Sequence, residues 1–471
     1  MSAVLPLRQI GELPGPVAVP LFGNAFGLDA TRLHLVAEDW QRRYGDFFQM
    51  RIGPRRFLVI AEPEAIARVL RERPEGFQRT RRLSAIADEL GFRGVFTANG
   101  ERWRRQRPMV MASFDPAHIK SYFPALVRVT ERFARRWQRA ATEGRAIELQ
   151  ADLMRYTVDV TAGLAFGADI NTLESDTETI QHHLDKVLRA MFKRAMALLP
   201  YWRWLPDFAL ARHRRELEHA VQSFIAAARA RIEVEPQRRE RPCNLIEAMI
   251  VARDDEGSGL ADADVAGNVL TMLLAGEDTT AHSAAWLIYL LARNPEALAR
   301  AREEVHAVLG APRVPSDYEV LARLPYVEAC IHETMRLKPV APIIMAQAVR
   351  PSVIAGIAVP AEQLVMCLMR PANLDERNFA NAARFEPGRW LDRERAAAGK
   401  RVSMPFGAGP RLCPGRYLAM LELKMLAAML LALFDIESVA TPEGGEPREH
   451  LALTMSPVGL RLRLRNLRMP P

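Results

Sequence analysis

One cysteine constrains this chain more than any other residue. Cys413 lies in Phe406-Gly407-Ala408-Gly409-Pro410-Arg411-Leu412-Cys413-Pro414-Gly415. Glycines and prolines on both sides force a tight loop and let another stretch of backbone approach closely. The loop leads straight into an apolar run that reads as a helix over 415–434. Cys413 is therefore expected near a helix N-terminus, where orphan N–H groups and the positive end of the dipole favour a thiolate over a thiol. The other cysteines are Cys243, Cys330 and Cys367, and no pair has the C-x-x-C spacing of a metal clip. They are too few for a disulfide scaffold, so each is expected to be a small buried hydrophobe.

The rest of the 471 residues is ordinary globular material. Hydrophobic residues make up 49% and charged residues 25%, which excludes a disordered chain. A Pro- and Gly-rich opening segment, 1–25, cannot be helix. Strand-like runs at 46–52 and 56–60 flank Gly53-Pro54 and predict a hairpin. Apolar residues at three- and four-residue spacing make 63–309 mostly helical, with breaks at 235–242 and 254–259. Residues 343–369 turn β-like, and 371–414 reads as irregular. Repeats and domain-length linkers are missing, so one large domain over 1–471, mainly helical with a small β portion, is the economical reading.

Targeting and partner signals are faint. The longest strongly apolar stretch, 419–434, carries Glu422 and Lys424 and falls short of the roughly 20 residues a spanning helix needs. The expectation is a cytoplasmic monomer without a transmembrane anchor or signal peptide. A net charge of +8 is mild for this length. It suits one basic face for an acidic partner, not a nucleic-acid groove.

The cysteine loop matches F-x-x-G-x-R-x-C-x-G at every fixed position, and in this it resembles the haem-binding loop of the cytochrome P450 superfamily. The resemblance implies that family's α+β fold, mainly α with small β-sheets. A long central helix would cover the haem, and the cysteine loop, 403–416, would lie on the opposite face. It also implies haem b (iron protoporphyrin IX) held through the Cys413 thiolate, with Phe406, Arg411 and Gly415 in contact, and O2 as co-substrate. A thiolate on haem iron donates electron density and favours O–O cleavage.

A second element, Ala275-Gly276-Glu277-Asp278-Thr279-Thr280, sits in a helical run predicted over 262–292. Mid-helix glycine costs about 1 kcal/mol relative to alanine, so Gly276 wants a reason. Alone, Asp-Thr-Thr reads as readily as a polar turn. Its likeness to the family's A-G-x-D/E-T-T implies a local opening of the helix at Thr279, with room for oxygen and water. Asp278 and Thr279 would then be the catalytic acid and alcohol that deliver protons.

Glu333-Thr334-Met335-Arg336 resembles the family's E-x-x-R, and Arg389 in 385–390 its later partner, implying a structural charge network. Trp103 and Arg107, four apart, resemble the W-x-x-x-R that binds haem propionates; both are donors suited to carboxylates. The chain departs from the family in two places. Ala346 stands where many members have a propionate-binding arginine, the nearest being Arg350, and Pro360-Ala361-Glu362 replaces P-x-G.

The implied pocket is apolar, with Phe96, Leu274, Ala275, Val340 and Ile343 lining it and Ile86, Phe92 and Leu273 beside them. The implied reaction inserts one oxygen atom of O2 into a C–H or C=C bond of a fatty acid, terpenoid or steroid-like substrate. No glycine-rich dinucleotide loop follows a strand, so electrons are expected from an acidic ferredoxin or flavodoxin plus its reductase. Arg104, Arg105, Arg416 and Lys424 would form the basic patch that steers it. The rivals are a peroxide-using haem-thiolate enzyme or isomerase and a non-catalytic haem sensor. The stretch 201–204 also has the Trp and Arg of a membrane-surface segment.

Overall fold

A computed structural model of the chain describes residues 7–26, 28–114, 116–174, 180–311 and 313–467. Residues 1–6 of the opening segment lie outside these. The rest of that segment makes no α-helix: Arg8–Gln9 pairs as a short parallel strand with Ile357–Val359, and a 3-10 turn follows.

The predicted hairpin forms. Phe47–Ile52 and Arg55–Ile60 pair antiparallel in unbroken register, and Gly53 turns between them at φ +58, where a side chain would be strained. Arg55–Ile60 then pairs parallel with Leu364–Leu368, which pairs with Ile343–Ala348, and Phe77–Gln78 closes the five-stranded sheet. Successive side chains point to opposite faces. Phe57 and Val59 therefore join the large helical core, while Leu58 and Ile60 join a smaller one on the other side.

The central helix, Asp262–Arg293, is 32 residues and about 48 Å long. It is buried on nearly all sides, as its lack of a polar stripe requires. Acidic Asp262 and Asp264 at its start and Arg293 at its end suit the helix dipole. It runs along Leu149–Phe166 and carries the cavity's ceiling. The cysteine helix, Arg416–Leu433, is almost wholly buried and ends where Phe434–Ala440 turns extended and pairs with Arg461–Asn466.

The structure corrects four expectations here. The irregular stretch 371–414 contains a helix, Arg393–Ser403, capped by the Asp392 carboxylate accepting from the Arg395 N–H at 2.8 Å. Three successive alanines within it are strong helix formers, which the flanking prolines and glycines masked. Short strands Phe77–Gln78 and Ile147–Glu148 interrupt the helical half, created by their partners and not by their own sequence. Cys243 is exposed, just ahead of the helix Leu245–Asp254, whereas Cys330 and Cys367 are buried as expected. Lys424 is buried and bonded to Glu328 at 2.8 Å, so it is no part of a surface patch. Among the described residues no helix is long and apolar enough to cross a membrane.

Candidate active site

A cavity of about 920 Å³ opens between the central helix and the cysteine loop. The cysteine loop is held by its own backbone: the Cys413 N–H donates to the Phe406 carbonyl at 3.0 Å, and Leu412 to Gly409 at 3.0 Å. Gly409 is required twice over. It takes φ +70, and a Cβ there would meet the Leu70 carbonyl at 2.7 Å. The cysteine helix starts at Arg416, so Cys413 stands ahead of the first turn and not in it. Burial pushes its thiol up, while the Gly415 N–H, Arg107 and Arg416 pull the other way. The expected preference for thiolate is thus outweighed by desolvation until a cation meets the sulfur.

Among the arginines that line the same cavity, four lie within reach of one another's charge: Arg73, Arg79, Arg107 and Arg411. Arg107 donates to the Leu412 carbonyl and ties its helix, Gly100–Ser113, to the cysteine loop. The Arg411 guanidinium lies 4.8 Å from the Trp103 ring centre, donates to the Ala98 carbonyl at 2.7 Å, and leaves a buried Nε without an acceptor. The Arg79 guanidinium sits 4.3 Å over the Phe96 ring and donates to that residue's carbonyl. Burial, joined by the charges of its neighbours, pushes Arg411 down to about 9 and Arg79 well below the usual guanidinium range. Arg73 falls to about 10 through burial. No carboxylate of the described residues pairs with any of the four.

Sequence reading missed Arg73 and Arg79. Arg79 begins Arg79-Thr80-Arg81-Arg82, which looks like a solvated charge run. The sheet tells otherwise: Phe77 faces Ala348 and Gln78 faces Gln347, so one further step sets Arg79 opposite Ala346. The cation absent from Ile343–Ala348 is supplied by the neighbouring chain segment. Arg350 is exposed beyond the strand's end. Only strand pairing carries that signal.

The ceiling comes from the central helix. The Thr279 hydroxyl donates to the Ala275 carbonyl at 2.7 Å, and the Ser283 hydroxyl to the Thr279 carbonyl at 2.8 Å. The helix nevertheless runs without a break, so the expected local opening is not present. Gly276 has a different reason: a Cβ there would lie 2.4 Å from the Thr161 hydroxyl, so glycine lets Leu149–Phe166 come close. Asp278 is pushed up to about 7, first by burial and then by the Asp185 carboxylate, with Arg189 opposing. Beside it Glu277 is fully buried and held well above the carboxylate range by burial and Asp278. His282, bonded to the Thr454 hydroxyl at 3.2 Å, is pushed down to about 4 by burial and is neutral.

Phe96, Leu274, Ala275, Val340 and Ile343 all line the cavity, as do Phe406 and Gly415. Ile86, Phe92 and Leu273 do not; they are packed into a separate helical core. Unforeseen walls come from Thr161 and Leu164, from Met191, and from the turn between Glu449–Leu451 and Met455–Pro457. Glu333, Arg336 and Arg389 sit behind the cavity as a closed network. Arg336 grips both Glu333 oxygens at 2.8 Å and the carbonyls of Asn373, Ala382 and Arg384, while Arg389 and the Trp390 indole complete the carboxylate.

An apolar cavity with one thiol in its lining, and a cluster of four arginines that no carboxylate of the described residues pairs with, fits a flat amphiphile that carries two carboxylates, as haem does. The cytochrome P450 family model matches residues 13–463. Pentalenene oxygenase of Streptomyces avermitilis is 27% identical over 457 residues, covering 96% of this chain and 97% of its own length. Cytochrome P450 3A15 of Cavia porcellus is 24% identical over 440 residues, covering 91% of this chain and 86% of its own length. The self-sufficient cytochrome P450 monooxygenase CYP505AG1 of Oidiodendron maius is 28% identical over 440 residues, covering 90% of this chain. This chain spans only 39% of that relative's length and 43% of that of a second self-sufficient relative, CYP505E3 of Aspergillus terreus.

Proposed function

The chain belongs to the cytochrome P450 family and is a haem-dependent oxidoreductase that uses O2; from that premise we propose that it oxygenates an apolar substrate bound between Leu274 and Ile343. The whole of 1–471 is read as one such unit. The carrying observation is the division of one cavity into an apolar upper wall and a floor where Cys413 stands among unpaired arginines. Haem supplies the activation of O2, with the Cys413 thiolate as its iron ligand. Arg79, Arg107, Arg411 and the Trp103 indole would hold the propionates, and Arg73 would add positive charge to the same cluster.

The remaining steps belong to the protein. Leu274, Ala275, Val340 and Ile343 exclude water and orient an unfunctionalised carbon skeleton, a fatty acid, terpenoid or steroid-like molecule. Asp278 holds a proton near neutrality because burial and Asp185 oppose its loss, and Thr279 offers a hydroxyl for relay. Electrons come from an acidic ferredoxin or flavodoxin with its reductase, on a basic face that holds Arg105 and Arg416. Arg104 contributes less, being bonded to Glu75 and Glu101. The self-sufficient relatives favour a second reading, in which the donor is a fused partner. A cytoplasmic monomer completes the proposal.

The test is the ferric haem absorbance of the purified protein, titrated with fatty acids, terpenes and steroids. A shift of the main band to shorter wavelength identifies the substrate class. No haem band after haem has been supplied would sink the reading of Cys413. Product formed with peroxide but not with O2 and reductant would favour the peroxide-using rival.

A further inference from the structure

A threonine hydroxyl inside a helix usually donates to a carbonyl of its own helix, one turn back. Thr130, Thr271, Thr279 and Thr334 all do so, each to the residue four earlier, at 2.7 to 2.9 Å. Thr161, in Leu149–Phe166, does not. It is 4% exposed, and its hydroxyl finds no hydrogen-bond partner among the described residues. A buried polar group left unpaired is costly, so its presence wants a reason.

The hydroxyl is set against the central helix instead. A Cβ on Gly276 would lie 2.4 Å from the Thr161 oxygen and 3.0 Å from its methyl, so only glycine admits this side chain. One turn away on the same helix face, Thr157 crosses the same gap and donates to the Glu277 carbonyl at 3.0 Å. A hydroxyl of Leu149–Phe166 thus already serves a carbonyl of the central helix. Thr161 also borders the cavity, together with Ala275, Gly276, Asp278 and Thr279. Its unused donor matches a need at Thr279. There the hydroxyl is committed to the Ala275 carbonyl at 2.7 Å, so it cannot donate into the cavity until it lets go. Letting go costs the helix one hydrogen bond at that turn, and Thr161 stands beside it with a proton to give.

We propose that Thr161 is a positioning residue for Thr279: its hydroxyl takes over a central-helix carbonyl at Ala275–Gly276 and so releases the Thr279 hydroxyl into the cavity. The inference rests on the relay reading of Thr279, and one experiment separates the two. Its readout is the infrared C–O stretch of the full haem-loaded chain, reduced with dithionite under carbon monoxide. A hydroxyl that donates to the bound CO lowers that stretch. Thr279→Ala is expected to raise the band. Thr161→Val, which keeps the shape without the hydroxyl, should raise it likewise, while Thr161→Ser stays near wild type. The double variant should move no further than Thr279→Ala alone, because one residue acts through the other. Thr161→Val should also melt at or above the wild-type temperature, since it removes an unpaired buried hydroxyl. A band moved by Thr279→Ala but not by Thr161→Val overturns the role of Thr161 and leaves the relay standing. A band that Thr279→Ala leaves in place overturns both. Thr161→Ser shifting as far as Thr161→Val, or Thr161→Val melting well below wild type, makes Thr161 a packing contact and overturns the proposal.

Discussion

Two clusters of buried charge in this molecule obey opposite rules. Around Glu333, every group is answered: two arginines, an indole N–H and a backbone N–H converge on one carboxylate, and Arg336 spends its remaining donors on three carbonyls. Around Arg411, four cations face one another without an acid. Burial of charge is tolerated only when it is paired, so a balanced cluster is architecture and an unbalanced one is a site awaiting its counter-ions. The first needs nothing from outside. The second finds no acid among the described residues.

The largest effect should come from breaking the balanced cluster. Arg336→Ala leaves a fully buried carboxylate with its main partner gone, a loss of about 3–5 kcal/mol. The expected product is haem-free or aggregated protein; a soluble variant with a full haem band would break the comparison.

Arg79→Gln probes the unbalanced cluster and should act with opposite signs in two measurements. Haem affinity falls by about tenfold, since a charge-assisted contact is lost. The haem-free protein, relieved of mutual repulsion, melts at the same or a higher temperature than wild type. Arg79→Lys should restore part of the affinity. A haem-free Arg79→Gln protein that melts well below wild type would show that Arg79 is structural after all.

Thr279→Ala touches neither cluster. It should keep haem and substrate binding but lose product per reductant consumed by several-fold, the balance emerging as peroxide. Unchanged coupling removes Thr279 from proton delivery.

Asp278 offers the smallest and most diagnostic change, because it answers burial in a third way, by keeping its proton. Its value of about 7 is raised from 3.8, so the acid form dominates below pH 7 and the anion above. Proton-limited turnover should fall as pH rises through that value, and Asp278→Asn should flatten the profile. Stability runs in the same sense. The unfolded state loses this proton near pH 4 and the folded state near 7, so the group costs the fold progressively more over that window. Asp278→Asn should therefore narrow the loss of thermal stability between pH 5 and 8 measured by calorimetry.

Some of this was open to reading from the chain alone. The cysteine loop and the Gly53 hairpin are local patterns whose residue types already state their geometry, whereas Arg389, 56 residues from Glu333, was expected beside it only from the family resemblance. Gly276 was visible as an anomaly but not in its cause, since the threonine it admits lies on another helix. Lys424 looked like a surface cation because composition does not reveal that Glu328 faces it inside the fold. Arg79 looked like one of a charge run because its partner strand is about 270 residues away in sequence.

The sequence by itself determined the chemistry: a thiolate-capable cysteine in a loop of glycines and prolines, an acid and an alcohol on one long helix, and apolar residues enough to enclose a substrate. Those choices are written in residue type and short spacing. Tertiary structure decided which charges meet. It closed one cluster and left the other open beside Cys413. The physical reason is reach. A side chain's propensity acts over a turn of backbone, whereas the pairing of buried charge depends on neighbours that only the folded chain supplies.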